Sequence, residues 1–186
     1  MENIIRKFLS VVLSASVIAT CFTATAFAAT PSVGVSYLAH VQDNGWMSPV
    51  SDGALAGTTG QSKRTEALKI NLTNAPAGAH INYQVHVQDY GWMPVVSDGA
   101  AAGTEGKSKR LEAIKMTITG VTGYTIEYRV HVQDYGWMDW VSDGSIAGTV
   151  GQGKRMEAIQ IRLVANVNSI SITPSMTLTA GGAQEP

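Results

Sequence analysis

The stretch His40-Val41-Gln42-Asp43-Asn44-Gly45-Trp46 returns twice along the chain, as HVQDYGW at residues 86–92 and at residues 131–137. Further landmarks keep the same spacing: SDG at 51–53, 97–99 and 142–144, AGT at 56–58, 102–104 and 147–149, and Arg-x-Glu-Ala at 64–67, 110–113 and 155–158. Such self-similarity is typical of repeat proteins, in which each copy is one small supersecondary unit. The sequence therefore predicts three copies of one unit, at about residues 35–80, 81–125 and 126–165.

Alternating apolar residues predict β-strands within each unit. Tyr83, Val85 and Val87 alternate with polar residues, and the segment 112–118 continues the pattern with Ile114, Met116 and Ile118 on one side. A hydrophobic period of two is the signature of a half-buried strand. The Asp-Gly pair of each SDG landmark is a hairpin-type turn signal, because both residues tolerate a positive φ. No segment has a sustained helical period, so we predict an all-β fold.

Three equal β units favour closure around a pseudo-threefold axis, since closure covers the strand edges that separate units would expose. We predict a β-prism-like arrangement of three small sheets, with a β-trefoil-like arrangement as the alternative. The predicted domain, residues 33–165, is long enough to bury a core of its own. Cys21 is the only cysteine and lies before this domain, so we expect no disulfide in it.

The first 29 residues resemble a secretory signal peptide. Arg6 and Lys7 give a positive start, an apolar run begins at Phe8, and Ala26-Phe27-Ala28 offers a small-x-small cleavage pattern. We therefore expect a secreted or cell-surface protein, with no stable membrane span after cleavage. Cleavage would leave 11 of the 13 basic and 13 of the 14 acidic residues. This balance argues against nucleic acid as a partner, which requires a concentrated basic surface.

The repeated turns offer candidate ligand-binding residues. In each unit a tryptophan follows Gln-Asp-x-Gly, which places an aromatic ring near a carboxamide and a carboxylate. A pyranose ring stacks its C–H face on an aromatic side chain, while polar groups bind its hydroxyls. The predicted ligand-binding residues are Gln42, Asp43, Trp46, Gln88, Asp89, Trp92, Gln133, Asp134, Trp137 and Trp140. The alternative is that the three repeated tryptophans fill the core at a strand end; Trp140 is not required by the repeat.

Other polar landmarks favour architecture over chemistry. The repeated histidines (His40, His86 and His131) lie on the polar face of their strands, so we expect structural histidines rather than a metal site. The Arg-x-Glu pairs share the parity of the apolar positions, so both charges should point inward if no bulge intervenes, as a clamp repeated in each unit. Every such residue recurs threefold, whereas catalysis needs one asymmetric constellation. We predict no catalytic residue, metal or cofactor, and no enzymatic activity.

The pattern Tyr-x-x-His-Val-Gln-x-x-Gly-Trp, followed by Asp-Gly, Ala-Gly-Thr and Arg-x-Glu-Ala, resembles the clostridial hydrophobic repeat, or ChW, family. The resemblance covers Val35 to Leu163 and implies an exported bacterial protein with a role in surface attachment or polysaccharide contact. Residues 166–186 resemble the opening strand of a bacterial Ig-like domain of group 2 and then break off, so the chain looks truncated there.

From these patterns we expect an adhesion or binding module whose partner is a polysaccharide or cell-wall polymer. The alternative is a structural scaffold or protein-interaction module without a glycan site. Polysaccharide hydrolysis would need an asymmetric pair of carboxylates in one cleft.

Overall fold

A computed structural model describes residues 32–166. This part of the chain consists of fifteen β-strands joined by turns, with no helix between residues 32 and 166. Within those residues nothing helical is long and apolar enough to cross a membrane. The predicted signal peptide and, after Asn166, the predicted Ig-like segment lie outside the described residues.

Each repeat contains two long strands and three short ones. The long strands are β1 (Gly34–Val41), β5 (Thr65–Thr73), β6 (His80–Val87), β10 (Leu111–Thr119), β11 (Tyr124–Val132) and β15 (Met156–Ala165). The short strands are β2 (Gly45–Trp46), β3 (Val50–Ser51), β4 (Ala56–Gly57), β7 (Gly91–Trp92), β8 (Val96–Ser97), β9 (Ala102–Gly103), β12 (Gly136–Trp137), β13 (Val141–Ser142) and β14 (Ala147–Gly148).

The long strands pair as three antiparallel hairpins, β1–β5, β6–β10 and β11–β15, each the centre of a five-stranded sheet. Two short strands of the same repeat pair with the first strand of each hairpin. The fifth strand comes from another repeat: β9 pairs with β5, β14 with β10, and β4 with β15. The second repeat thus completes the first sheet, the third repeat completes the second sheet, and the first repeat completes the third sheet.

This pairing confirms the predicted all-β fold with three sheets that match the three repeats. The six long strands pair only two by two within the described residues, so they do not form the single closed set that the β-trefoil alternative requires. The prism-like arrangement is the one observed. Its closure depends on short strands exchanged between repeats, which cover one edge of each long hairpin.

The core lies between the three sheets and is built from the apolar side of each long strand. On β6 the buried residues are Ile81, Tyr83, Val85 and Val87, and the residues between them are partly exposed. The predicted core residues Ile114 and Met116 of β10 are also buried, whereas Ile118 is only partly buried against the same cluster. Fully burying one such side chain contributes about 1.5–3 kcal/mol, so the shared core is the main source of stability.

A buried tyrosine joins each repeat to another. The hydroxyl of Tyr37 donates to the carbonyl of Ala54 in its own repeat and accepts the backbone N–H of Ile161 at 3.0 Å. Tyr83 and Tyr128 repeat this arrangement. The corresponding partners are Ala100 and Ile70 (3.1 Å) for Tyr83, and Ser145 and Met116 (3.2 Å) for Tyr128. Each hydroxyl thereby satisfies a buried backbone N–H across the junction between two repeats.

The Arg-x-Glu pairs were expected to point inward only without a bulge, and the structure has a bulge at this point. Each hairpin shifts register at this point; in the first repeat His40 lies opposite Ala67 while Val41 lies opposite Thr65, so Glu66 is the extra residue of a β-bulge. An extra residue reverses which side of the sheet the neighbouring side chains face. The carboxylate of Glu66 therefore meets His40, whose strand neighbours Ala39 and Val41 face the core.

Candidate functional site

Each bulge places a buried glutamate between an arginine and a histidine. Glu66 is 5% exposed; its Oε1 accepts a hydrogen bond from Nε of Arg64 at 2.8 Å and lies 2.7 Å from Nη2 of the same guanidinium group. Its Oε2 lies 3.2 Å from Nδ1 of His40. The arginine compensates the buried carboxylate at short range, so this cluster is a structural clamp of the predicted kind.

The clamp recurs with nearly the same geometry in the other repeats. Glu112 binds Arg110 through Nε at 2.9 Å and Nη2 at 2.7 Å, and Glu157 binds Arg155 at 2.8 Å through both nitrogens. The His86–Glu112 and His131–Glu157 distances are 3.0 and 3.1 Å. In all three repeats this close contact does not have the geometry of a hydrogen bond.

Each repeated tryptophan packs on the histidine of its clamp. The ring centroids of His40 and Trp46 are 5.3 Å apart with an edge-to-face angle of 80°, and the residues pair across β1 and β2. The other two pairs have centroid distances of 5.5 Å and angles of 82° and 83°. Edge-to-face contact is a favoured aromatic geometry. It fixes the tryptophan ring over the clamp on the outer side of the sheet.

A cation lies over every repeated tryptophan. Nζ of Lys69 is 4.3 Å from the centroid of Trp46, and Nζ of Lys115 is 4.9 Å from that of Trp92. In the third repeat Arg129 occupies this role at 4.9 Å from Trp137. Such cation–π contacts contribute about 0.5–1 kcal/mol at exposed sites. The three rings are half-buried, so they are neither core residues nor fully free surface residues.

Trp140 has no equivalent aromatic residue in the other repeats. Its ring lies 4.7 Å from the guanidinium of Arg129 and 4.0 Å from that of Arg162. Arg129 therefore contacts both tryptophans of the third sheet. Arg162 also binds Glu127 through Nε at 2.9 Å and Nη2 at 2.6 Å. The third sheet consequently carries a wider aromatic and cationic surface than the other two.

The predicted aspartates lie on the turns, and two of the three pair with lysines; in the first repeat Lys63 binds Asn44 instead. Asp43, Asp89 and Asp134 are exposed and have positive φ angles of 64°, 66° and 68°. Asp89 pairs with Lys109 and Asp134 with Lys154, both at 2.6 Å. The hydrogen bond from each lysine holds the pKa of its aspartate below the usual value. The carboxylates of Asp89 and Asp134 therefore remain ionised acceptors at neutral pH.

The predicted glutamines lie elsewhere, around the pseudo-threefold axis. Gln42, Gln88 and Gln133 line one pocket of about 210 Å³. The other residues that line it are Ser62, Arg64, Ser108, Arg110 and Arg155. Equivalent residues of three repeats meet in one pocket only where they surround the common axis. The predicted glutamine and tryptophan of one turn thus face different surroundings, the axial pocket and the outer side of a sheet, and the aspartate pairs with a lysine in the second and third repeats.

The arginines and serines of this axial pocket were absent from the predicted ligand-binding residues. The recurrence of Arg-x-Glu-Ala could have indicated a shared site. The arginines were instead assigned to the interior, because they alternate in step with the apolar residues of the strand. Among residues 32–166 no cluster of three or more histidine, cysteine or acidic side chains is arranged to hold a metal ion.

A second pocket, of about 260 Å³, lies on the outer side of the second sheet. Gln84, Lys115 and Thr117 contribute polar groups, and the exposed side chain of Val95 contributes apolar surface. Because Lys115 also covers the ring of Trp92, this pocket lies beside that tryptophan. The combination of an apolar lining with a few polar groups is typical of small-molecule sites.

Comparison with family models matches the clostridial hydrophobic W (ChW) model at residues 40–74, 86–120 and 131–165. The chain belongs to the ChW family. Each ChW match begins at the clamp histidine and includes the tryptophan, the SDG and AGT landmarks and the Arg-x-Glu pair. The predicted ChW resemblance is confirmed, whereas the predicted Ig-like segment has no support in this comparison. Comparisons with curated proteins and with solved structures gave no match.

Proposed function

We propose that this ChW module is an exported, non-enzymatic binding module that contacts polysaccharide or cell-wall polymer through the tryptophans on the outer sides of its three sheets. The observation that carries the proposal is the repeated placement of a half-exposed tryptophan, fixed at its edge by a histidine and covered by a cation. A ring held in one orientation loses little conformational entropy on binding, which favours recognition of a sugar face. Export rests on the signal-like residues 1–29.

The outer pocket beside Trp92 supports a sugar as the ligand. The exposed side chain of Val95 suits the C–H face of a pyranose, and Gln84 and Thr117 offer groups for its hydroxyls. The ionised Asp89 lies on the preceding turn and supplies a further acceptor. On this proposal Asp43, Asp89, Asp134 and the tryptophans form the sugar sites, and the three glutamines do not.

Three related sites on one domain suit a polymer better than a single sugar. Each site is shallow, so each is expected to bind weakly by itself. A polymer that engages two sites gains effective concentration for the second contact, which raises the overall affinity without any new contact. Trp140 gives the third sheet an additional ring, so this sheet is expected to contribute most to binding.

The test is retention of the protein on insoluble polysaccharides and on bacterial cell walls, with Trp46, Trp92 and Trp137 changed to alanine singly and together. His80→Ala is the matched control. It removes another exposed ring, at the opposite end of β6 and six residues from His86, or about 20 Å at the rise of a strand. Stepwise loss of binding in variants that keep a cooperative thermal transition is expected. Equal retention of wild type and folded triple variant would contradict the proposal.

A scaffold function without a glycan site is the second candidate, and one contact favours it. Nε1 of Trp46 donates to Glu105 of the second repeat at 3.1 Å, so this tryptophan also joins two repeats. If that is its main role, Trp46→Phe should lower the thermal midpoint, and polymer retention should be absent or unaffected. The sugar proposal expects the opposite, with retention reduced more than stability.

A further inference from the structure

We propose that the axial pocket binds a tetrahedral oxyanion of the phosphate or sulfate class. This site is separate from the tryptophans on the outer sides of the sheets and does not depend on the proposed polysaccharide contact. It is lined by three glutamines, three arginines and two serines, and no acidic side chain is among its described lining residues.

The backbone places these side chains firmly around the axis. Gln42 follows β1 directly and Arg64 precedes β5 directly, and the N–H of Gln42 donates to the carbonyl of Arg64 at 3.0 Å. The equivalent hydrogen bonds in the other repeats, Gln88 to Arg110 and Gln133 to Arg155, have the same length of 3.0 Å. The pocket wall is therefore set by three copies of one hydrogen-bonded strand end, and little reorganisation is needed for binding.

The arginines present donors to the pocket, while their counter-charges lie behind them. Nε and Nη2 of Arg64 bind the buried Glu66, and Nη1 donates to Oε1 of Gln42 at 2.8 Å. A guanidinium group only donates, so the carboxamide must turn its oxygen to Arg64 and keep the two donors of Nε2 for other partners. This Arg64–Gln42 bond belongs to the first repeat; in the other repeats Arg110 and Arg155 add guanidinium donors to the pocket lining, which suits an acceptor-only anion.

The serines add a conformational argument. Ser62 and Ser108 have φ angles of 55° and 52°, in the left-handed region that costs a non-glycine residue about 1–2 kcal/mol. The third repeat has Gly153 at this position, with a φ of 66°, so glycine is compatible with the fold there. Two repeats thus keep a serine hydroxyl at the pocket at an energetic cost. A hydroxyl that binds a ligand accounts for this placement.

The size and symmetry of the pocket match an oxyanion. Its volume of about 210 Å³ lies below the ~300–1,000 Å³ of sites for drug-sized ligands, so it suits a small group. Three oxygens of a tetrahedral anion are related by a threefold axis, so an anion that lies on the pseudo-threefold axis presents one oxygen to the arginine of each repeat. Arginine forks are well suited to such oxygens.

The test measures the thermal midpoint and binding isotherm of the protein with sodium sulfate, sodium phosphate and sodium chloride at matched ionic strength. Gln42→Glu is the decisive variant, because it keeps an acceptor for Arg64 while placing a negative charge at the pocket. Asn74→Asp is its matched control, since it also changes an amide to a carboxylate, at an exposed position beyond the end of β5 opposite to Arg64. We expect saturable binding of sulfate or phosphate, weakened about tenfold or more by Gln42→Glu and unchanged by Asn74→Asp.

Equal midpoint shifts with chloride, or equal effects of the two variants, would overturn the proposal. If Gln42→Glu does not fold, the Ser62→Gly, Ser108→Gly double variant replaces it. That variant is expected to be at least as stable as wild type and to bind the anion more weakly; unchanged affinity would also overturn the proposal. The affinities of inorganic sulfate and of a sugar sulfate monoester are then compared. Tighter binding of inorganic sulfate indicates a site for the free anion, and tighter binding of the monoester indicates a site for a sulfated sugar.

Discussion

The hydroxyl oxygen of Tyr37 accepts the backbone N–H of Ile161 at 3.0 Å, although 124 residues separate them. The same hydroxyl donates to Ala54, so one side chain joins the first repeat to the last. Tyr83 and Tyr128 form the other two junctions in the same way. The ring of repeats is therefore held by three buried hydroxyls as well as by its apolar core.

Tyr37→Phe is expected to lower the free energy of unfolding by about 1–3 kcal/mol, because it leaves the buried N–H of Ile161 without a partner. Urea unfolding monitored by circular dichroism measures this loss. The matched control is Tyr135→Phe, which removes an exposed hydroxyl bound to Gln152 and should change stability by less than about 0.5 kcal/mol. A similar loss in both variants would show that the junction hydrogen bond contributes nothing.

Stability should fall in alkaline solution through the same residue. Burial raises the pKa of Tyr37 to about 12, and burial also raises the pKa of Tyr83 and Tyr128. Below pH 10 the hydroxyl is protonated in both states; between pH 10 and 12 only the unfolded chain releases the proton. The free energy of unfolding therefore drops with rising pH, by up to about 1.4 kcal/mol per unit for one such group. Unfolding titrations from pH 9 to 11.5 should show that Tyr37→Phe costs less as the pH rises; a constant difference would refute this.

Glu112→Gln is expected to destabilise the protein by about 2 kcal/mol or more. The amide keeps the size of the carboxylate but leaves the charge of Arg110 uncompensated and turns an NH₂ group toward Arg110 or His86. Differential scanning calorimetry measures the effect. Asp89→Asn removes an exposed partner of Lys109 and should leave the thermal midpoint nearly unchanged. Equal effects of the two substitutions would mean that burial of the clamp is energetically unimportant.

Gly103→Ala should destabilise the junction between the first two repeats by more than about 3 kcal/mol. A Cβ there would meet the carbonyl oxygen of Glu66 and lie 2.8 Å from Cα of Ala67, at a φ of 118°. Gly106→Ala is the control for backbone strain alone, because its φ is 68° but no atom lies within 4 Å of its Cβ. It should cost only about 1–2 kcal/mol. Chemical denaturation of both variants separates the clash from the strain, and equal losses would exclude the clash.

The strands and the core could be predicted from the sequence because the apolar period of two is a local property of each strand. Tyr83, Val85 and Val87 are buried as their alternation predicts. The side on which Glu66 lies could not be predicted in this way. A single extra residue at the bulge reverses the pattern, and the sequence contains no separate signal for it.

The candidate sites were predictable only in part. The tryptophans were recognised as the relevant rings, but the cations over them, Lys69, Lys115 and Arg129, lie elsewhere on the long strands and reach the rings only in the folded sheets. The meeting of Gln42, Gln88 and Gln133 on the axis requires the closed arrangement of all three repeats. Closure is a tertiary property, so the axial pocket could not be located from any one repeat.

The exchange of short strands between repeats has a consequence for how such domains are inherited. The strand β4 completes the third sheet, while β9 and β14 complete the first and second sheets. Three repeats are therefore needed to pair the free edge of every long hairpin, and fewer repeats would leave an edge unpaired. A fourth unit added by gene duplication would find no vacant edge for its own short strand. Duplication of such a domain is therefore expected to add three repeats at a time. Deletion of one repeat should prevent the other two from folding.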